Sequence, residues 1–239
     1  MAPYSIRLIP IFAFLLPLTF GFLQSAPSRN LKTSLCMASS PLKPAAIPLM
    51  DSGKALARSG ELLVDLTNNL GLFGGALSAA GALIRNSGDC LAQAAASCRF
   101  KTAAELVCDE LREGATCLTE ATDKLNLAIV EAQVDEDIRL AQVLDALVYS
   151  VGSAGRNLEE AGAGIMTKQA MQDIGIKLVD CGTDLWNASG LVAEIAPEQS
   201  DAQLCSQRMA YAAERMAEAG NELQGAPKPK PKGKNCLKG

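Results

Sequence analysis

Residues 89–127, DCLAQAAASCRFKTAAELVCDELREGATCLTEATDKLNL, set the reading of the chain. Alanine and leucine recur at helical spacing on both sides of Arg99–Lys101, which predicts two helices joined by a tight turn. Thr102 and Glu105 form a T-x-x-E capping box, which starts the second helix at Thr102. Cys90, Cys98, Cys108 and Cys117 lie on the two arms. Cys98 with Cys108 and Cys90 with Cys117 are both centred near residue 103, the nested pairing of a hairpin stapled by inner and outer disulfides. A turn confined to Arg99–Lys101 favours Cys90 with Cys108 instead. Cys98 and Cys108 would then be offset along the axis by several residues at ~1.5 Å each, beyond the ~4.4–6.8 Å a bridge spans. Free thiols on alanine-rich faces are the third reading.

The composition extends the helical reading to the whole body. Hydrophobic residues make up 49% of the 239 positions but aromatics only 4%, so the apolar part is chiefly alanine and leucine, the helix formers. No proline occurs between Pro48 and Pro197. The expected fold is all-α: an antiparallel multi-helix bundle of about five or six helices, with the cysteine hairpin as its candidate staple. The helices are expected at Asp51–Asn68, Ala76–Cys98, Thr102–Ala132, Asp135–Leu158, Thr167–Ile195 and Asp201–Leu223. Gly162–Gly164 is expected as a hinge, and Ser200 with Gln203 as a second capping box.

Within these helices a small residue is followed three positions later by a large apolar one, and the pair returns after seven. Gly53/Leu56, Gly60/Leu63, Gly81/Ile84, Gly88/Leu91, Ala115/Leu118 and Thr122/Leu125 belong to the series. So do Gly155/Leu158, Gly162/Ile165, Gly175/Leu178, Gly182/Leu185, Ala213/Met216 and Gly220/Leu223. Positions three and seven apart share a helix face. Glycine costs a helix roughly 0.5–1 kcal/mol relative to alanine, so its recurrence points to backbones in close approach.

Charge divides the chain into three parts. Residues 1–50 carry four basic side chains and no acid, residues 226–239 five lysines and no acid, and residues 51–225 a net charge of -13. A body this acidic repels nucleic-acid backbones, so no nucleic-acid role is expected of it. Histidine is absent. That removes the commonest proton shuttle and metal ligand. With no phosphate loop, nucleophile elbow or C-x-x-C pair either, no catalytic residue, cofactor or metal is expected. The rows of acids, such as Glu105, Asp109 and Glu113, read as solvated helix faces. Trp186 reads as a plug between helices.

The ends carry the address. Residues 1–21 read as a signal peptide, with the uncharged core LIPIFAFLLPLTFGFL at 8–23 too short for a stable membrane span. Residues 22–50 read as a basic, hydroxyl-rich transit segment and disordered leader. Gly21-Phe22 followed by Ser25, Ser28, Arg29 and Lys32 resembles the two-part plastid presequence of algae with red-derived secondary plastids, such as diatoms. The resemblance covers about residues 1–40 and implies a plastid address; ordinary secretion is the alternative. The nested cysteine spacing is in turn similar to the twin-cysteine helical hairpins of the mitochondrial intermembrane space, although its gaps are irregular. Residues 226–239 form a proline-spaced basic tail in which Lys228, Lys230, Lys232, Lys234 and Lys238 stay separated and reachable, a docking element for an acidic protein or an anionic membrane surface. The function expected is that of a non-enzymatic helical scaffold or accessory subunit of a plastid complex. Binding of an apolar ligand, lipid or pigment, is the alternative.

Overall fold

The computed structural model describes residues 40–70 and 74–225; the signal segment, residues 22–39 of the transit segment and the lysine tail lie outside these residues. Six α-helices follow one another: α1 Ala46–Leu70, α2 Gly74–Ser97, α3 Ala104–Val134, α4 Ile138–Met166, α5 Met171–Ile195 and α6 Ser200–Gln224. No strand occurs among the described residues, and the all-α bundle read from the sequence is the observed fold. Each helix packs on the next in sequence, and α6 returns against α1 to close a ring. The interior is filled chiefly with leucine and alanine drawn from all six helices.

The helix boundaries follow local chemistry, with several differences from expectation. The chain enters through a 3-10 turn, Lys43–Ala45, so α1 starts at Ala46 rather than Asp51. Pro48 is tolerated there because amides of the first turn need no intrahelical partner. Leu42, Ala45, Ala46 and Leu49, expected in a disordered leader, are buried in the core. Asp137 caps α4 by accepting from the Leu140 amide at 2.9 Å, and Glu136 (φ 60°) turns the chain between α3 and α4, which therefore do not fuse. Neither capping box forms. Thr102 lies within a 3-10 turn and α3 is entered through Ala103 without a side-chain cap; Ser200 is already helical and Gln199 precedes it uncapped. Gly162 and Gly164 lie inside α4 rather than at a hinge. Gly225, in the left-handed region at φ 69°, ends α6.

The small residues set the packing. In the α1–α2 hairpin Gly53 lies against Gly88 and Ala92, and Gly60 against Gly81 and Arg85. In α5–α6 Gly175 lies against Gly220, and Gly182 against Ala213 and Ala217. In α3–α4 Gly162 lies against Cys108 and Arg112, and Gly155 against Ala115 and Thr119. Facing positions advance by seven along one helix and recede by seven along the other, so each pair is antiparallel. The three hairpins thus repeat one arrangement. The residue three beyond each small one, including Leu56, Leu111 and Leu178 on the first arms and Ile84, Leu158 and Met216 on the second, is buried. This register corrects one expectation: the small positions of α3 equivalent to those of α1 and α5 are Cys108 and Ala115, one heptad before Ala115 and Thr122.

The hairpins differ in tightness. A Cβ on Gly53 would lie 2.6 Å from both the Gly88 oxygen and the Ala92 nitrogen, and one on Gly175 would lie 2.5 Å from the Gly220 oxygen. On Gly155 and Gly162 the nearest atoms would be at 3.3 and 3.1 Å, so α3 and α4 stand further apart. The ring is closed by polar contacts from α6 to α1. The Ser52 hydroxyl donates to the Ala212 carbonyl at 2.8 Å, and the Cys205 thiol to the Ser59 carbonyl at 3.1 Å. Between α4 and α5, Asn157 donates to Asp184 at 2.9 Å, and the Arg139 guanidinium donates to the Glu194 carbonyl at 2.7 Å.

Gly53→Ala is expected to lower stability by about 1–3 kcal/mol in urea denaturation, because backbone atoms must move to admit the methyl group. Gly190→Ala, on α5 with no heavy atom within 4 Å of its Cβ position, is expected to raise it by about 0.5–1 kcal/mol through helix propensity alone. Equal effects at the two sites would contradict the packing role of Gly53.

Candidate functional site

The six described cysteines are all free thiols, so the expected staple is absent. The inner pair fails because its members serve different seams. Cys98 borders an apolar end of the core with Val107 and Leu111, while Cys108 occupies the small-residue position facing α4. The alternative bridge, Cys90 with Cys108, is not formed either. Cys90 and Cys117 do come together across the α2–α3 seam, close enough for each thiol to shift the other's titration.

The meeting follows from helical spacing. Glu110, Glu113 and Cys117 recur at i, i+3 and i+7 and so share one face of α3. Gly114 on the same turn admits α2: its Cβ position lies 3.4 Å from the Cys90 Cβ and from the Ser87 carbonyl oxygen. Cys90 Sγ and carboxylate oxygens of Glu110 and Glu113 lie within 4.8 Å of one another. These are the groups that could hold a metal, and the sequence reading passed over them. It grouped Glu113 with Glu105 and Asp109 at fours; the useful signal was the three-and-seven spacing of Glu110, Glu113 and Cys117 opposite Cys90.

The electrostatics of the seam are uniformly anionic. The Cys90 thiol is pushed up to about 12 from an ordinary 9.0, first by burial and then by Cys117, Glu113, Glu110 and Asp89. Burial, followed by Glu113 and Asp109, raises the Glu110 carboxyl. Burial, Glu120 and Glu113 raise the Cys117 thiol, while its hydrogen bond to Cys90 pulls the other way. High thiol pKa values keep these sulfurs protonated near neutrality, so they are poor nucleophiles.

A second feature lies at the other end of the same hairpin. Leu127, Val130 and Val134 follow one another at three and four residues on α3, and Ile138 begins α4; their exposures are 53, 56, 76 and 69%. Trp186, expected between helices, is instead 51% exposed on α5. The apolar space inside the bundle between Leu42, Leu49, Cys98, Leu111, Leu178 and Leu223 holds about 10 Å³, barely enough for a single water. A larger recess of about 600 Å³ is an open groove, where Pro41, Pro44 and Pro48 face Arg215 and Glu218. No described helix is long and apolar enough to cross a membrane.

No protein family, curated protein or solved structure matches the chain.

Burial also pushes Cys98 and Cys205 up to about 12 from the ordinary 9.0. A thiol whose folded pKa is raised contributes stability that is complete below its unfolded pKa and lost as pH rises through the folded one. Urea midpoints are therefore expected to fall between pH 9.0 and about 12, and less so in Cys98→Ala. In native protein at neutral pH, Cys117 should be alkylated before Cys98, Cys181 and Cys205, as read by peptide mapping. Simultaneous modification of all four would contradict the burial described.

Proposed function

We propose that this protein is a non-enzymatic helical scaffold or accessory subunit that acts in the plastid through protein contacts. The observation that carries the reading is the exposed apolar face Leu127–Val130–Val134 with Ile138, on a bundle whose interior is already filled. An apolar surface outside a satisfied core is what a partner can cover. Asp123, Glu131 and Asp135 lie on the same stretch, so the matching partner face is apolar with basic side chains around it. The lysine tail would supply a second, weaker attachment to an acidic protein or an anionic membrane surface, screened by salt. The filled core weighs against the alternative of an apolar ligand held between the helices. The plastid address rests on the Gly21-Phe22 presequence pattern.

In fractionated cells the protein is expected in plastids, migrating as a complex larger than its 25.0 kDa chain. Val130→Glu with Val134→Glu should release it to monomer size while leaving helix content by circular dichroism unchanged. Removal of residues 226–239 should weaken association at low salt only. A monomer in native extracts, or a complex indifferent to the Val130 and Val134 changes, would overturn the reading.

A further inference from the structure

At other helix seams some acidic groups are paired. Glu61 pairs with Arg58 and Arg85, Glu160 with Lys177, and Asp51 with Arg215. Glu110 and Glu113 pair with no cation among the described residues, although they converge with Cys90 to within 4.8 Å, and Cys117 lies beside Cys90 close enough to shift its titration. Two sulfurs and two carboxylates from facing helices, with no counter-charge, form a donor set rather than a solvated acidic row. Thiols separate it from sites for magnesium or calcium, which take oxygen donors. Zinc-class ions accept both sulfur and carboxylate in a four-coordinate arrangement.

We propose that Cys90, Cys117, Glu110 and Glu113 bind one thiophilic divalent cation of the zinc class across the α2–α3 seam. Metal–donor bonds of about 2.0–2.3 Å hold donor atoms roughly 3–4 Å apart. Cys90, Glu110 and Glu113 need only draw in slightly from their present spacing, and Glu113, being exposed, has the rotamer freedom to do so; Cys117, beside Cys90 but outside that group of three, turns its thiol inward to become the fourth donor. On binding, each thiol gives up its proton and forms a metal–sulfur bond. One cation therefore enters as two thiol protons leave, while the carboxylates contribute oxygen donors. The ion would neutralise part of the seam's charge and clip α2 to α3 at the point where the Cys90–Cys117 disulfide was expected. This inference does not depend on the scaffold reading.

The test uses the full chain, reduced and metal-free, carrying Cys36→Ser and Cys236→Ser to remove the thiols outside the described residues. Cadmium is the probe, because its bonds to thiolate give an ultraviolet charge-transfer band. One cadmium per chain is expected, with release of two protons, displacement by zinc but not by magnesium, and a rise in melting temperature. Cys117→Ser should abolish the band, and Glu113→Gln should weaken binding at least tenfold with helix content unchanged. Absence of cadmium binding, or binding that Glu113→Gln leaves unaltered, would overturn the proposal. Glu113→Gln decides the matter even if Cys117→Ser perturbs the fold.

Discussion

Two of the three hairpins depend on a contact between backbones with no side chain between them. At Gly53–Gly88 and Gly175–Gly220 the helices approach so closely that a single methyl group would collide with main-chain atoms. Dispersion at such range acts along both helices, and the large residue three positions on from each glycine is carried into the interior. The glycines therefore set both the separation of the helices and the aim of the leucines. Their cost in helix propensity is offset by packing. The middle hairpin, with Cys108 and Ala115 in place of glycine, stands wider at its seam; its first arm presents Glu110, Glu113 and Cys117 to Cys90 of α2, and its far end carries the exposed apolar face.

How much of this could be read from the chain divides along physical lines. Signals internal to one helix were legible: the absence of proline from Pro48 to Pro197, the small/large series and all six helices. Entry points were less so. Thr102–Glu105 and Ser200–Gln203 have the residues of capping boxes, but each chain entry takes a backbone path in which the hydroxyl does not cap. Residues 40–50 read as part of a basic, acid-free leader, yet Leu42 and Leu49 supply core surface that only the assembled ring reveals.

The cysteines show the same limit. Symmetry about residue 103 correctly brought Cys90 opposite Cys117, because antiparallel arms place equidistant residues together. It could not say that Cys108 turns toward α4, since that depends on a helix some fifty residues further along. Neither could it foresee Glu110 and Glu113 joining Cys90, which requires the α2–α3 register that Gly114 permits. Trp186, read as a plug, is half exposed because glycine and alanine leave no room between α5 and α6 for an indole ring. Tight seams exclude large groups, and the larger apolar side chains that fall off the interior face are left on the surface, where a partner can use them.

The central claim is the backbone contact itself, and proton–proton through-space magnetic resonance on the isotope-labelled protein tests it most directly. The account predicts cross-peaks joining the α-protons of Gly53 to Gly88, Gly60 to Gly81 and Gly175 to Gly220, because glycine backbones in this register lie within reach of one another. Strong cross-peaks from these glycines to side chains alone, with none between the paired α-protons, would contradict it and place the helices at ordinary separation.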